Sequence, residues 1–175
     1  MKKNCSGFYA LLAFLLVFPL FLRRKWRVAR RIIIHATPAE IFPFINDLKN
    51  WPLWSAQSCC EGRREYTYGA VTSGTGAALE WKTRRMSGAM KIVQSVQDDH
   101  VAYELELQPC KCTIEGVIAL EEIDGSTRVT WLCKWESGSN PYLRYIDVIA
   151  KIFLKRELAA GLENLRKLAT GVSQA

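Results

Sequence analysis

The stretch NPYLRYIDVIAKIFLKRELAAGLENLRKLA, Asn140 to Ala169, decides how the rest of the chain must fold. Asn140 suits a helix N-cap, and Pro141 suits the first helical position, where no amide hydrogen is needed. Arg166 and Lys167 favour the last turn through the helix dipole, and Gly171 can end the helix. At about 1.5 Å per residue, such a helix reaches roughly 45 Å. Its apolar residues form two stripes. Ile146, Ile149, Ala150 and Phe153 make one; Leu158, Leu162, Leu165 and Ala169 make the other, rotated by roughly a quarter turn or more at about 100° per residue. Two different partners, or a bend near Lys155 to Glu157, would reconcile them. A helix this long needs a broad surface to lie across.

Working backwards, residues 32–137 supply that surface. Trp26 to Ala36 reads as a first strand. Thr37 and Glu40 form a capping-box pair before a short helix at Pro38–Asp47, with Pro38 at its first position. Asn50-Trp51-Pro52-Leu53-Trp54 then packs two tryptophans into a tight turn. Strands follow at about 61–69, 76–84, 88–97, 100–108, 112–122 and 126–136, separated by turn signals such as Asp98-Asp99 and Asp124-Gly125. Alternation sets Leu79, Trp81, Val101, Tyr103, Leu105, Leu107, Ile114, Gly116, Ile118, Leu120, Val129, Trp131, Cys133 and Trp135 on one face. Charged residues such as Glu80, Glu104, Glu115 and Lys134 take the other. This order predicts an α+β domain, an antiparallel sheet with the last helix across its apolar face.

Charge limits the function. The chain has 24 Lys and Arg against 17 Asp and Glu. Eight of the basic residues lie within residues 1–31, where no acid occurs, so the remainder holds 16 basic and all 17 acidic residues. The folded part is near neutral, which argues against a nucleic-acid-binding domain. The basic residues bracket the apolar run FYALLAFLLVFPLFL, Phe8 to Leu22. With Cys5, Ser6 and Gly7 it extends to 18 residues, roughly 27 Å of helix and just enough to cross a bilayer core. No small-residue cleavage site follows, so residues 1–25 read as a single-pass membrane anchor rather than a cleaved signal peptide, and residues 26–175 as the folded domain. The heavier basic flank on the C-terminal side places that domain on the cytoplasmic side, with the periplasmic side as the alternative, since Lys2 and Lys3 act the other way.

Several phrases resemble the START / birch-pollen-allergen superfamily, in its polyketide cyclase/dehydrase-like branch. They are Ile34-His35-Ala36-Thr37-Pro38-Ala39-Glu40-Ile41-Phe42, Asn46 through Ser55 (NDLKNWPLWS), Lys91 through Tyr103 (KIVQSVQDDHVAY), Ser126 through Trp131 (STRVTW) and Gly161 through Arg166 (GLENLR). The resemblance spans residues 32–169. It implies a helix-grip fold, a curved antiparallel sheet wrapped around the C-terminal helix. It also implies a cavity between them for a lipid, sterol, quinone or polyketide-like molecule. It supplies no shared catalytic motif.

The residues themselves agree on the absence of a catalytic constellation. No nucleophile elbow, phosphate loop or HExxH motif occurs, and nothing calls for a cofactor. His35 and His100 read as structural or solvated. Cys59-Cys60 and Cys110-Lys111-Cys112 lack the CxxC spacing of a metal knuckle. Cys112 and Cys133 share the parity of inward residues and read as small core groups, whereas Cys59 or Cys60 could bridge to Cys110 in an oxidising compartment. The expected cavity lining is Trp81, Tyr103, Leu105, Ile118, Trp131 and Trp135 from the sheet, with Ile149 and Phe153 from the helix. The expected function is binding a hydrophobic small molecule at a membrane surface. A cyclase- or dehydratase-type enzyme and a protein-interaction module are the alternatives. The first half of the helix, with Tyr145, Val148 and Ile152 widening its apolar side and Arg144, Lys151 and Lys155 opposite, is expected either to lie under loops or to gate the cavity near the bilayer.

Overall fold

The computed structural model describes residues 23–55, 65–84, 86–108, 112–138 and 143–171, together with Tyr9, Phe14, Val17, Phe18 and Phe21. Seven strands form one antiparallel sheet: β1 (Lys25–Ile34), β2 (Glu65–Tyr68), β3 (Ala78–Lys82), β4 (Ser87–Val96), β5 (His100–Gln108), β6 (Cys112–Ile123) and β7 (Ser126–Glu136). Helices α1 (Pro38–Asn46) and α2 (Trp51–Trp54) separate β1 from β2, and α3 (Leu143–Ala169) ends the fold. The strand order is β1-β7-β6-β5-β4-β3-β2. Successive hairpins thus build β2 to β7, and the first strand closes against the last. Most of the expected α+β helix-grip architecture is present. Asn140, Pro141, Cys59, Cys60, Cys110 and most of the run 8–22 lie outside the described residues. Among the described residues no helix is long and apolar enough to cross a membrane.

Turn chemistry explains the hairpins. The β6–β7 turn needs two residues of positive φ, and Asp124 (47°) and Gly125 (74°) supply them, as a two-residue hairpin of this hand requires. Asp98 has φ 56° in the β4–β5 connection, a conformation Asp tolerates better than most residues. Register then places the apolar parity on one side: Trp131 pairs with Ile118, Ile118 with Val101, and Val129 with Leu120. All of these are buried.

Two glycines let aromatic rings lie flat on that face. Gly116 is the cross-strand partner of Tyr103, and Gly88 of Trp81. A Cβ on Gly88 would come within 2.6 Å of the Trp81 ring, and one on Gly116 would overlap the Tyr103 ring. Small residues opposite large rings keep the floor of the sheet shallow.

The turn between α1 and β2 is fastened by indoles. Trp51 Nε1 donates to the Ile45 carbonyl and Trp54 Nε1 to that of Phe44, both at 2.9 Å. Asn50 Nδ2 donates to the Pro43 carbonyl at 3.1 Å, and the Gly74 amide to that of Asn46 at 3.1 Å. The Phe44, Ile45 and Asn46 carbonyls, which the end of α1 leaves without helical partners, are thereby satisfied, and that of Pro43, which also accepts the Asp47 amide, gains a second donor. At the start of α1, the Glu40 carboxylate accepts from the Thr37 amide at 2.7 Å and hydroxyl at 2.9 Å. Those bonds hold its pKa below the ordinary value.

Helix α3 lies chiefly over β1 and touches β7, α1 and α2. Leu158, Leu162 and Leu165 are fully buried beneath it, as their spacing predicts. Gly171, at φ 69°, terminates the helix after Thr170 and Gly171 donate to the Arg166 and Leu168 carbonyls.

Two substitutions test these fastenings. Trp54→Phe leaves the Phe44 carbonyl unsatisfied and should destabilise the domain by about 1–3 kcal/mol in urea titration. Leu53→Ala, on the exposed side of the same turn, should stay within about 0.5 kcal/mol of the parent. Gly116→Ala forces Tyr103 off the sheet. It should cost about 1–3 kcal/mol as an overpacked core does, with a changed near-UV dichroism from the displaced ring.

Candidate functional site

Because α3 runs over the β1 and β7 side, the half of the sheet built from β3 to β6 is less fully covered. A cavity of about 130 Å³ opens there. Its sheet wall comprises Trp81, Met86, Met90, Tyr103, Leu105, Leu107, Ile114, Trp131 and Cys133. Leu154, Glu157 and Leu158 of α3 form the facing wall, and Trp51 and Ser55 close the side nearest α2. The volume approaches the roughly 150 Å³ of an apolar cavity known to admit benzene. It therefore takes a single ring or a short acyl segment without rearrangement.

Aromatic packing sets that size. Trp51 meets Tyr103 edge-on at 5.0 Å between ring centroids and Trp54 at 4.9 Å, while Trp54 meets Trp131 at 5.2 Å. Rings of these types favour tilted and edge-to-face contacts over flat sandwiches. This cluster fills the centre of the space between sheet and helices, so the cavity is what remains beside it.

The polar groups of the wall form a chain. Trp131 Nε1 donates to the Tyr103 hydroxyl at 2.8 Å, and that hydroxyl lies 3.5 Å from Cys133 Sγ. Burial raises the Tyr103 pKa well above its ordinary value, with the neighbouring Cys133 adding to the shift. Burial likewise pushes the Cys133 thiol up to about 11, against a smaller opposing contribution from its bond to Tyr103. Both groups are protonated at neutral pH. They can orient a guest that carries a polar atom on an otherwise apolar frame, but neither is prepared to act as a nucleophile or base. The histidines stand elsewhere: His35 Nδ1 meets Ser126 Oγ at 3.0 Å, and His100 Nδ1 meets Asp99 at 2.7 Å.

The structure brings together four of the eight residues expected in the lining: Trp81, Tyr103, Leu105 and Trp131. Ile118 is on the same face but fully buried in the packed core away from the cavity. Trp135 is also buried, at the end of β7, where it stacks on Trp26 at 6.1 Å. Ile149 and Phe153 point away from the sheet and are more than half exposed. The reason is polar. Trp135 Nε1 donates to Asp147 at 3.0 Å, Trp26 Nε1 donates to Ser137 Oγ at 2.9 Å, and Ser137 Oγ donates in turn to Asp147. Lys151 Nζ lies 5.7 Å from the Trp26 ring, and Arg144 is buried. The line 144, 147, 151, 154, 158, 162, 165 continues one helix face, polar in its first half and apolar in its second. The expectation that Arg144 and Lys151 lie opposite the packed side is therefore reversed.

Trp51, Ser55, Met86, Met90, Leu107, Ile114, Cys133, Leu154, Glu157 and Leu158 enter the lining without having been expected there. Strand parity already placed Ile114 inward, and the Leu158 stripe was legible. The two methionines and Glu157 carried no signal that periodicity could distinguish from ordinary packing.

Comparison with known proteins agrees with this architecture. The chain shares its fold with DynU16 of the dynemicin biosynthetic locus at TM-score 0.57 and 14% identity, over 86% of this chain and 49% of that one. This chain therefore spans about half the length of DynU16. KanY matches at TM-score 0.63 and 15% identity, over 86% of this chain and 100% of KanY. Ara h 8.0201 matches at TM-score 0.60 and 11% identity, over 84% and 99% of the two chains. No curated protein matches the sequence. The family model described as polyketide cyclase / dehydrase and lipid transport matches residues 25–170. The curved sheet gripping α3, the cavity beside it and that match together establish that this chain belongs to the polyketide cyclase / dehydrase and lipid transport family, within the wider superfamily of START-like and birch-pollen-allergen-like domains.

Proposed function

We propose that the domain binds a hydrophobic small molecule, a ring system or acyl segment of a lipid, quinone or polyketide-like compound, in the cavity between β3–β7 and α3. The single observation that carries this reading is the lining itself: apolar and aromatic side chains surround a few fixed polar groups, Tyr103, Ser55 and Glu157. Such a composition is the usual form of a small-molecule site. Family membership supports hydrophobic ligand binding in general. The apolar run Phe8–Leu22, with its basic flanks, supports delivery of this domain to a membrane surface on a single-pass anchor.

The alternative, a cyclase or dehydratase, would need a group in the cavity able to take or give a proton at neutral pH. Tyr103 and Cys133, the two buried titratable groups that meet there, are held protonated, which favours binding over chemistry at those positions and leaves Glu157 as the other ionisable side chain of the lining.

An apolar fluorescent probe should bind the full chain with partial quenching of tryptophan emission, because Trp51, Trp81 and Trp131 all border the cavity. Leu105→Phe fills the space and should reduce probe affinity at least tenfold while leaving the melting temperature within a few degrees. Retained binding in that variant would place the probe elsewhere. Cys133 supplies an independent check. With a pKa of about 11, only about one thiol in a thousand is ionised at pH 8. Peptide mapping after alkylation of the native protein at that pH should therefore find Cys133 unmodified, with modification appearing only after unfolding.

A further inference from the structure

The first half of α3 carries an apolar face that the domain does not use. Ile146 (60%), Ile149 (56%), Ile152 (53%) and Phe153 (54%) are all more than half exposed, and they share one side of the helix. The opposite side is committed to the sheet through Asp147 and Lys151. No rotation of α3 could bury these four residues without breaking the Asp147 bonds to Trp135 and Ser137. Monomeric domains rarely leave so contiguous an apolar strip facing water.

Two observations say what covers it. The first is position: Phe18, one of the described residues of the apolar run, stacks on Tyr145 at 6.3 Å in this same half of α3. Among the described residues of that run, Phe14, Val17, Phe18 and Phe21 are themselves exposed, and the four strip residues remain more than half exposed. The second is charge. The strip runs into exposed cations: Lys155 and Arg156 at its end, with Arg23 and Arg24 just before the adjoining edge strand β1, whose Arg30 Nε donates to the Lys155 carbonyl. Two copies of this surface would bring like charges together. An anionic lipid surface would complement them.

We propose that the first half of α3 lies in the interfacial layer of an anionic bilayer, with Ile146, Ile149, Ile152 and Phe153 among the acyl chains and the surrounding Lys and Arg at the head groups. An amphipathic helix with such a division of faces binds in the plane of the interface. Helix α3 is thus two-sided by design: its second half closes the hydrophobic core, and its first half sets the domain on the membrane. Leu154, at the junction, lines the cavity, so the docked segment runs directly into the ligand site. The inference rests on the anchor reading only in that the run 8–22 brings the chain to the bilayer.

The test uses the full chain reconstituted in vesicles of phosphatidylcholine mixed with phosphatidylglycerol, with Phe153 replaced by a photoreactive benzophenone analogue of phenylalanine. Phe153 is exposed, so the replacement leaves the core intact. After illumination, mass spectrometry should find a phospholipid adduct at position 153. The same analogue at Val96, at the opposite end of the sheet, should give none. A cross-link from 153 to residues 8–22, a cross-linked dimer, or no adduct at 153 in protein that floats with the vesicles would each overturn the docking while leaving the anchor intact. Equal lipid adducts at 153 and 96 would overturn it as well. Failure of the chain to float would remove the anchor and the docking together. Probe binding in the cavity is measured without vesicles and is independent of every one of these results.

Discussion

The fold hangs on where the carbonyl end of α1 finds its hydrogen bonds. A helix end buried without partners is costly, because each orphaned carbonyl loses water and gains nothing. Here the partners are the indoles of Trp51 and Trp54, so satisfying the helix end also fixes two large rings between the sheet and α3. Once those rings are placed, Tyr103 and Trp131 must meet them edge-on. Tyr103 can do so only because Gly116 offers no Cβ beneath it. The cavity is a residue of this sequence of constraints. It sits where the ring cluster ends and before β3 and β4 reach the edge of the sheet.

The same logic governs α3. Hydrophobic burial favours turning Ile146, Ile149 and Phe153 toward the sheet, yet the end of the sheet they would face presents the N–H groups of Trp26 and Trp135 and the hydroxyl of Ser137. Covering these with aliphatic side chains would leave buried donors unpaired. Asp147 accepts from both Trp135 and Ser137, and Ser137 accepts from Trp26. One carboxylate therefore orients half of a 27-residue helix against the preference of its apolar stripe. The stripe is left outside, where only an apolar environment external to the domain can take it up.

Most of the architecture was legible because strand parity and turn chemistry are local. Asp124-Gly125 dictates its hairpin by φ alone, and the alternation from Leu79 to Trp135 predicted the buried face correctly throughout. The long helix and its terminating Gly171 were equally plain. The cavity was half legible. Trp81, Tyr103, Leu105 and Trp131 follow from parity, but parity cannot tell Ile118 and Trp135, which are packed, from their cavity-facing neighbours. The orientation of the first half of α3 was not legible at all. Apolar residues at helical spacing indicate a face that avoids water, not whether a sheet or a bilayer provides the shelter. The deciding partner, Asp147, lies on the same helix but acts through Ser137 and Trp135, which no periodicity connects to it.

Cavity size and helix orientation bear on each other. A space of about 130 Å³ admits a ring or a short chain, far less than a whole lipid or extended polyketide. A larger ligand could be held only in part, or only if a wall moved. The sheet wall is tied by register and by the ring cluster, and the second half of α3 is sealed by Leu158, Leu162 and Leu165. The less constrained wall is Leu154 and Glu157, at the boundary between the half of α3 packed on the core and the half held by Asp147 and Lys151. Displacing the first half would exchange a few polar bonds, which water or lipid head groups can replace, for little lost apolar contact. Displacing the second half would expose three fully buried leucines, at roughly 1.5–3 kcal/mol each. Enlargement of the site is therefore cheapest at the end of the helix whose outer face is apolar, and a guest leaving by that route would pass beside Ile149 and Phe153.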